Sequence, residues 1–426
     1  MNITMLAIGS RGDVQPLVAL GLGLQSAGHV VQVATHTEFD NFVQSRGLPF
    51  FPLQMDSREC LASEVGQDSM EEGTSPMRSL LDFARMVNTA LEQLSIDTLA
   101  ACQATDMIIY SPLGSFVAPH VAEKVKVPTI AAILAPMHRT RAFPSYGAPT
   151  TRNLGGLLNL LSYYPAEALV WLPYRSTVNK IRQELLNLPP IPWWVNYARQ
   201  WEKQSKAICG FSPTVVPKPA DWGKHVDITG YWFLDGEVDW EPSTQLADFL
   251  AAGTPPVYIG FGSMSTRDPE HKTEIALQAL SRSGQRGLLV TGWGGLRAAE
   301  LPDHVLQIEA APHDWLLPRM GAVVHHGGAG TTAAGLRAGK PTIIIPHFID
   351  QPFWGKRVLD LGVGPPPIPQ QKLSVDRLAE AISLAMNDEG MQQRAADLGD
   401  QISTEDGIGR AVEVINGHIS ALASVV

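Results

Sequence analysis

Residues 3–34, ITMLAIGSRGDVQPLVALGLGLQSAGHVVQVA, decide the fold. An apolar run over 3–8 reads as a strand, and the turn Gly9-Ser10-Arg11-Gly12-Asp13 leads into apolar residues at helical spacing from 14 to about 27. Gly28 stands where a helix C-cap calls for positive φ, and residues 30–34 resume as a strand. Strand, helix and strand over so short a span form a βαβ unit, which implies a parallel sheet with helices covering it.

Working outward, short apolar strands are expected at 107–110 and 129–134, with a helix over 70–101. From about 144 to 201 the strand signal disappears, and helical segments carry Tyr163, Tyr164, Trp171, Tyr174, Trp193, Trp194, Tyr197 and Trp201. Such a cluster is either core or an apolar pocket for a bulky ligand. Within it, 154–174 is the most membrane-like stretch, but Asn159, Pro165 and Glu167 interrupt it, and it reads as a buried or cleft-lining helical hairpin. The Pro-rich residues 212–219 suit an interdomain linker. Beyond them the alternation restarts, with strands at 257–261, 287–291, 305–308, 322–325 and 342–346.

A chain of 426 residues exceeds what one hydrophobic core organises. Two α/β domains are therefore expected, breaking near residue 215: 1–215 and 216–408. With 45% hydrophobic and 17% charged residues the chain is apolar enough for two cores. Its net charge of −10 argues against a broad electrostatic footprint for nucleic acid or anionic lipid and requires any phosphate to be held locally. Cys60, Cys102 and Cys209 form neither a disulfide framework nor a zinc motif, which fits a reducing, cytoplasmic setting. The opening residues lack a basic n-region, so they read as strand and not as a signal peptide.

Doubly wound domains bind ligands at the C-terminal ends of their strands. The strongest such loop is His325-His326-Gly327-Gly328-Ala329-Gly330-Thr331-Thr332, where glycines let backbone N–H groups approach an anion and the following helix offers its positive end. It has neither a Walker lysine nor G-x-G-x-x-G, and the competing reading is close packing alone. His326 can donate to a phosphate oxygen, and Thr331 or Thr332 can add a hydroxyl. The next strand delivers 347–352 to the same edge, where Asp350 and Gln351 suit sugar hydroxyls unless they are simply solvated. Ser263, Trp293 and the turn Ala311-Pro312-His313 follow other strands, whereas Trp315 fits a core position. In the first half, Asp13 is either a carboxylate facing a ligand or a helix cap, and Arg11 beside it would hold it ionised.

These motifs, with Arg139-Thr140-Arg141-Ala142-Phe143-Pro144 and Pro312-His313-Asp314-Trp315-Leu316, resemble a family 1 glycosyltransferase of the GT-B fold. The branch is that of fungal and plant sterol 3-β-glucosyltransferases and bacterial antibiotic glycosyltransferases. The resemblance implies two Rossmann-like doubly wound domains facing across a cleft, with a last helix, 409–426, crossing back onto the first. It implies inverting transfer of a hexose from UDP-glucose to a hydroxyl of a bulky lipophilic acceptor such as a sterol, triterpenoid or polyketide, with no metal and no further cofactor. Asp13 would be the general base. Ser10, Arg11, Gly12, Ser263, Trp293, Ala311, His313, His326, Gly328, Ala329, Gly330, Thr331, Asp350 and Gln351 would bind the donor. His138, where the sterol branch would carry Trp, together with Phe143 and Trp171, would touch the acceptor. A lipid acceptor would bring peripheral membrane contact. Eukaryotic sterol enzymes carry targeting modules ahead of the catalytic unit; a sequence opening on the first strand is expected to be a stand-alone enzyme. Alternatives are a transferase using a TDP-deoxysugar, a nucleotide-sugar epimerase, a nicotinamide oxidoreductase, and a silent nucleotide-sugar-binding protein.

Overall fold

The computed structural model describes residues 1–54, 76–146, 148, 151–193, 206–236, 240–261, 269–292, 301–347 and 349–424. The chain divides into two compact units, the first taking in Met1–Ser69, Ser75–Leu234 and Asp406–Val426 and the second chiefly Asp235–Glu405.

In the first unit, in chain order, lie β1 (Asn2–Ala7), α1 (Arg11–Ser26), β2 (Val30–His36), α2 (Asp40–Gln44), β3 (Phe50–Leu53), α3 (Pro76–Ala101), β4 (Met107–Tyr110), α4 (Ala118–Val125), β5 (Thr129–Ile133), α5 (Gly156–Leu161), α6 (Tyr163–Glu184), β6 (Lys206–Cys209) and β7 (Val226–Ile228). The strands form one sheet in the order β3-β2-β1-β4-β5-β6-β7, every pair parallel. Strand order reverses between β1 and β4, so the loop after β1 opens at the switch point where such sheets bind ligands.

Two expectations change here. The Pro-rich residues taken for a linker lie inside this unit, between β6 and β7, with Ser212 and Val215 fully buried and Val216 nearly so. Contacts therefore put the break at Leu234 and not near 215. The expected hairpin over 154–174 is instead an almost unbroken helix, because Ser162 between α5 and α6 is itself helical and its N–H bonds Leu158 O at 3.0 Å.

The second unit holds α7 (Thr244–Ala251), β8 (Val257–Gly260), α8 (Pro269–Ser283), β9 (Gly287–Val290), β10 (Val305–Ile308), α9 (His313–Leu316), β11 (Ala322–His325), α10 (Ala329–Arg337), β12 (Thr342–Ile344), α11 (Gln351–Asp360), α12 (Val375–Asn387) and α13 (Glu389–Ser403). Its parallel sheet runs β10-β9-β8-β11-β12. Val257 and Ile259 enter one apolar cluster with α8 and α12, while Tyr258 enters another, so both faces of the sheet are covered. The switch point falls between β8 and β11, at the glycine-rich turn.

The last helix, α14 (Gly407–Ala423), belongs to the first unit. It packs on α1, sinking Ala411 and Ile415 to zero exposure in the core of that sheet. A Cβ on Gly23 of α1 would collide with Ile408, so a glycine is what lets the two helices close.

Candidate active site

Asp13 is half-buried in the first turn of α1, where Ser10 is the N-cap. The Ser10 N–H donates to Asp13 Oδ2 at 2.9 Å and the Ser10 hydroxyl to the same oxygen at 3.2 Å. Space for that carboxylate comes from Gly9, which has φ +133° and where a Cβ would strike the Asp13 carboxylate. Gly9 in turn is pinned through its N–H to Nε2 of buried His36 at 3.0 Å. Burial raises the Asp13 pKa to about 6, against the lowering pull of the two Ser10 hydrogen bonds. Arg11, expected to hold Asp13 ionised, is not among the causes of that shift. Its guanidinium bonds Gln15 at 3.1 Å and lies 5.2 Å from the Phe42 ring. Gly12 is exposed beside it.

Among the residues expected to meet an acceptor, Phe143 and Trp171 are half-buried. His138 is 5% exposed, with its ring edge-on to Trp222 at 5.5 Å and His225 at 6.4 Å. Burial, then the nearby His225, lowers its pKa to about 4. His138 is thus packed against the rings of Trp222 and His225.

In the second unit, β11 ends at His325 and the chain turns through His326-Gly327-Gly328 into α10. Gly327 has φ +90° and donates its N–H to Nδ1 of fully buried His325 at 3.0 Å. That amide is therefore spent inside the loop, and the donors an anion there would meet are the N–H groups of Ala329, Gly330 and Thr331, which open the helix. Thr332 is spent too, its hydroxyl bonding Gly328 O at 2.9 Å, which leaves Thr331 as the hydroxyl of the pair that is partly accessible. His326 has a buried Nδ1 without a partner, and its Nε2 reaches to where a Cβ on Gly328 would sit. Burial, then neighbouring His313, lowers the His326 pKa to about 4, so the ring is neutral near pH 7 and donates one N–H. His313 opens α9, half-buried like Ala311, with the Tyr258 hydroxyl 3.5 Å from its Nε2.

Asp350 and Gln351 begin α11, and both side chains are braced. Asp350 Oδ2 accepts the indole N–H of fully buried Trp354 at 2.8 Å, and the Gln351 amide oxygen accepts the His347 N–H at 2.8 Å. Just before them Ile349 has φ +56°, a costly conformation for a β-branched residue and one that clusters at functional sites. Ser263 and Trp293 lie outside the described residues. Two residues of this neighbourhood carry no motif. Tyr258 is buried beneath His313, and His347 has both ring nitrogens buried without a partner, its pKa lowered to about 3 by burial, Lys272 and His326. Among the described residues no group of His, Cys, Asp and Glu has the arrangement to hold a metal ion.

The described arrangement is that of a two-sheet glycosyltransferase. Family models match the N-terminal domain of glycosyltransferase family 28 over residues 3–144 and the C-terminal domain of erythromycin biosynthesis protein CIII-like over 294–413. Among solved structures, the glycotransferase of kitacinnamycin superposes with a TM-score of 0.71 at 18% identity, covering 97% of this chain and 98% of that one. SnogD from Streptomyces nogalater gives 0.68, also at 18% identity, covering 98% and 99%. These likenesses define the fold as GT-B.

In sequence the chain is 39% identical to sterol 3-beta-glucosyltransferase UGT80A2 of Arabidopsis thaliana, over 98% of this chain and 66% of that one. It is 38% identical to UGT80B1 of the same plant, over 98% and 68%, and to the sterol 3-beta-glucosyltransferase of Emericella nidulans, over 97% and 30%. The chain belongs to this glycosyltransferase family. It spans about two thirds of the length of the plant relatives and under a third of the fungal one.

Proposed function

We propose that the protein is an inverting glycosyltransferase that moves a hexose, glucose from UDP-glucose, to a hydroxyl of a bulky lipophilic acceptor in a reducing, cytoplasmic setting. The observation that carries this reading is Asp13, a carboxylate with a pKa near 6 held by Ser10 at a sheet switch point. Ionised at neutral pH yet basic enough to accept a proton, it suits general-base catalysis. Asp13 takes the acceptor proton as the acceptor oxygen attacks the anomeric carbon. The bond from that carbon to the diphosphate oxygen breaks on the opposite face, and its electron pair leaves with the diphosphate. The N–H groups of 329–331 and the His326 N–H stabilise the growing negative charge. Asp350, aimed by Trp354, and Gln351 bind the sugar hydroxyls, and Phe143 and Trp171 meet the acceptor. The sterol glucosyltransferases among the relatives support a sterol-like acceptor.

Incubation with UDP-glucose or TDP-glucose and a panel of steroid and phenolic acceptors, read by mass spectrometry, tests the reading. An acceptor mass increased by one hexose is expected with UDP-glucose. Turnover with the TDP-sugar alone would reassign the donor, and donor binding without any product would leave a binding protein.

Because His325 Nδ1 accepts the Gly327 N–H, its shape can be separated from its polarity. Asn presents an amide oxygen near the place of imidazole Nδ1, whereas Gln presents it near Nε2. His325→Asn is expected to keep UDP affinity within about threefold, and His325→Gln to lose about tenfold, as a buried donor without its acceptor implies. Calorimetric titration with UDP reads this, and equal losses in both variants would refute the positioning role.

A further inference from the structure

The helix formed by α5 and α6 is packed with its apolar side outward. Asn159 is fully buried, its amide donating to Arg141 O at 2.9 Å and Asn153 Oδ1 at 2.8 Å and its Oδ1 accepting the Leu154 N–H at 2.9 Å. Fixing Asn159 inward turns Leu157, Leu158 and Leu161 outward, with exposures of 63%, 57% and 49%. The stripe continues along α6 at spacings of three and four residues through Tyr164 at 45%, exposed Pro165 and Ala168, and Leu172 at 65%. Tyr163, Tyr174 and Val178 occupy the opposite, buried side. A polar network therefore holds a row of large apolar side chains in water, and an organised patch of this kind marks an interaction surface.

Charge identifies the occupant. Residues 137–176 contain Arg139, Arg141, Arg152 and Arg175 against a single acid, Glu167, in a chain of net charge −10. Arg139 pairs with Glu167 and lies 4.4 Å from the Tyr164 ring, Arg141 runs beside Gly156 at one end of the stripe, and Arg175 follows Leu172 at the other. Asp221, from another segment, accepts the Thr140 hydroxyl and the Arg141 N–H, both at 2.7 Å. A second copy of the chain is the poorer partner. One helical stripe falls short of the roughly 800 Å² per partner that a stable dimer buries, and a two-fold contact would bring the arginines together. An apolar helix face flanked by arginines, with no described helix long and apolar enough to cross a bilayer, is the pattern of an interfacial helix.

We infer that the outward face of α5–α6 docks the protein on a lipid bilayer carrying anionic headgroups, with Leu157, Leu158, Leu161, Tyr164 and Leu172 entering the interface and Arg141 and Arg175 meeting lipid phosphates. This inference is independent of the catalytic reading, since it concerns binding to a bilayer that contains no acceptor. The full chain is sedimented with sucrose-loaded vesicles of phosphatidylcholine, with and without phosphatidylserine and lacking sterol. The wild type is expected to sediment with the anionic vesicles. Leu157→Gln/Leu161→Gln/Leu172→Gln is expected to lower the partition coefficient at least about tenfold on all vesicles. Arg141→Gln/Arg175→Gln, or added salt with the wild type, weakens binding only where phosphatidylserine is present. A wild type that stays in the supernatant with every vesicle overturns the proposal, as does a triple-Gln variant that binds like the wild type. So does a triple-Gln variant that keeps its vesicle binding while losing a concentration-dependent dimer or transfer to a water-soluble phenol, which would assign the stripe to self-association or to the acceptor site.

Discussion

Asp13→Asn should reduce transfer by about two to four orders of magnitude while the protein still binds UDP with near wild-type affinity. Burial and the Ser10 hydrogen bonds together set the pKa of this partly buried carboxylate at about 6. Asn keeps an oxygen that can accept from Ser10, so the first turn of α1 survives and the loss falls on proton transfer. The pH dependence follows from the same group. A base must be ionised, so kcat/KM for the wild type should be flat above about pH 7 and fall tenfold per pH unit below about 6. Stability should move the other way. The folded pKa lies above the unfolded value of 3.8, so the folded chain holds the proton more tightly, and stability falls as pH rises from about 4 through about 6. At neutral pH the ionised carboxylate therefore costs stability, by at most about 3 kcal/mol. Asp13→Asn removes that cost and should melt above the wild type near pH 7, with the gap closing toward pH 4. Full turnover by the variant, or a wild-type rate that does not change between about pH 5 and 7, would remove Asp13 from the base role.

The parts of the molecule that announce themselves in sequence are those where one residue type has one physical use. The run from β1 through α1 to β2 is legible because a strand period, a glycine-marked helix end and a second strand follow within 35 residues, and the glycine-rich turn before α10 because only close approach of backbone to an anion or to packing calls for so many glycines. Strands of three or four residues escape. Val226-Asp227-Ile228 is too short to show a period, and its central acid is held by Lys206 at 2.5 Å from the neighbouring strand. Proline at 213, 217 and 219 reads as a linker since it cannot donate to a ladder, yet the loop it builds is pressed into the unit by Phe211, Val215 and Val216. Along α5–α6 the helical period is plain but its polarity is not. Nothing in Leu157-Leu158-Asn159 says that Asn159 turns inward until Asn153 and the carbonyl of Arg141 are seen to receive it. At the site, spacing names Asp13 and His326, while the burial of His138 and the orphaned nitrogens of His347 depend on residues far away in sequence.

The second large effect is expected where those glycines meet His326. His326→Ala should weaken UDP binding by about ten- to a hundredfold, the range for losing a hydrogen bond to a charged group. Gly328→Ala tests whether placement of the ring, and not its presence alone, matters. Gly328 has φ −60° and ψ 143°, a conformation any residue adopts, so alanine introduces no backbone strain there. Its methyl would nevertheless occupy the position of His326 Nε2, and the ring must rotate away. Gly328→Ala should therefore retain the wild-type melting temperature within a few degrees and still approach the affinity loss of His326→Ala. Because both changes remove the same contact, the double variant should bind UDP no more weakly than the worse single variant, a non-additivity that independent sites do not show. Raising pH from about 6 to 8 should leave UDP affinity unaffected by His326, since its pKa of about 4 keeps the ring neutral throughout. Unchanged calorimetric affinity in His326→Ala, or fully additive losses in the pair, would dissociate this histidine from the diphosphate.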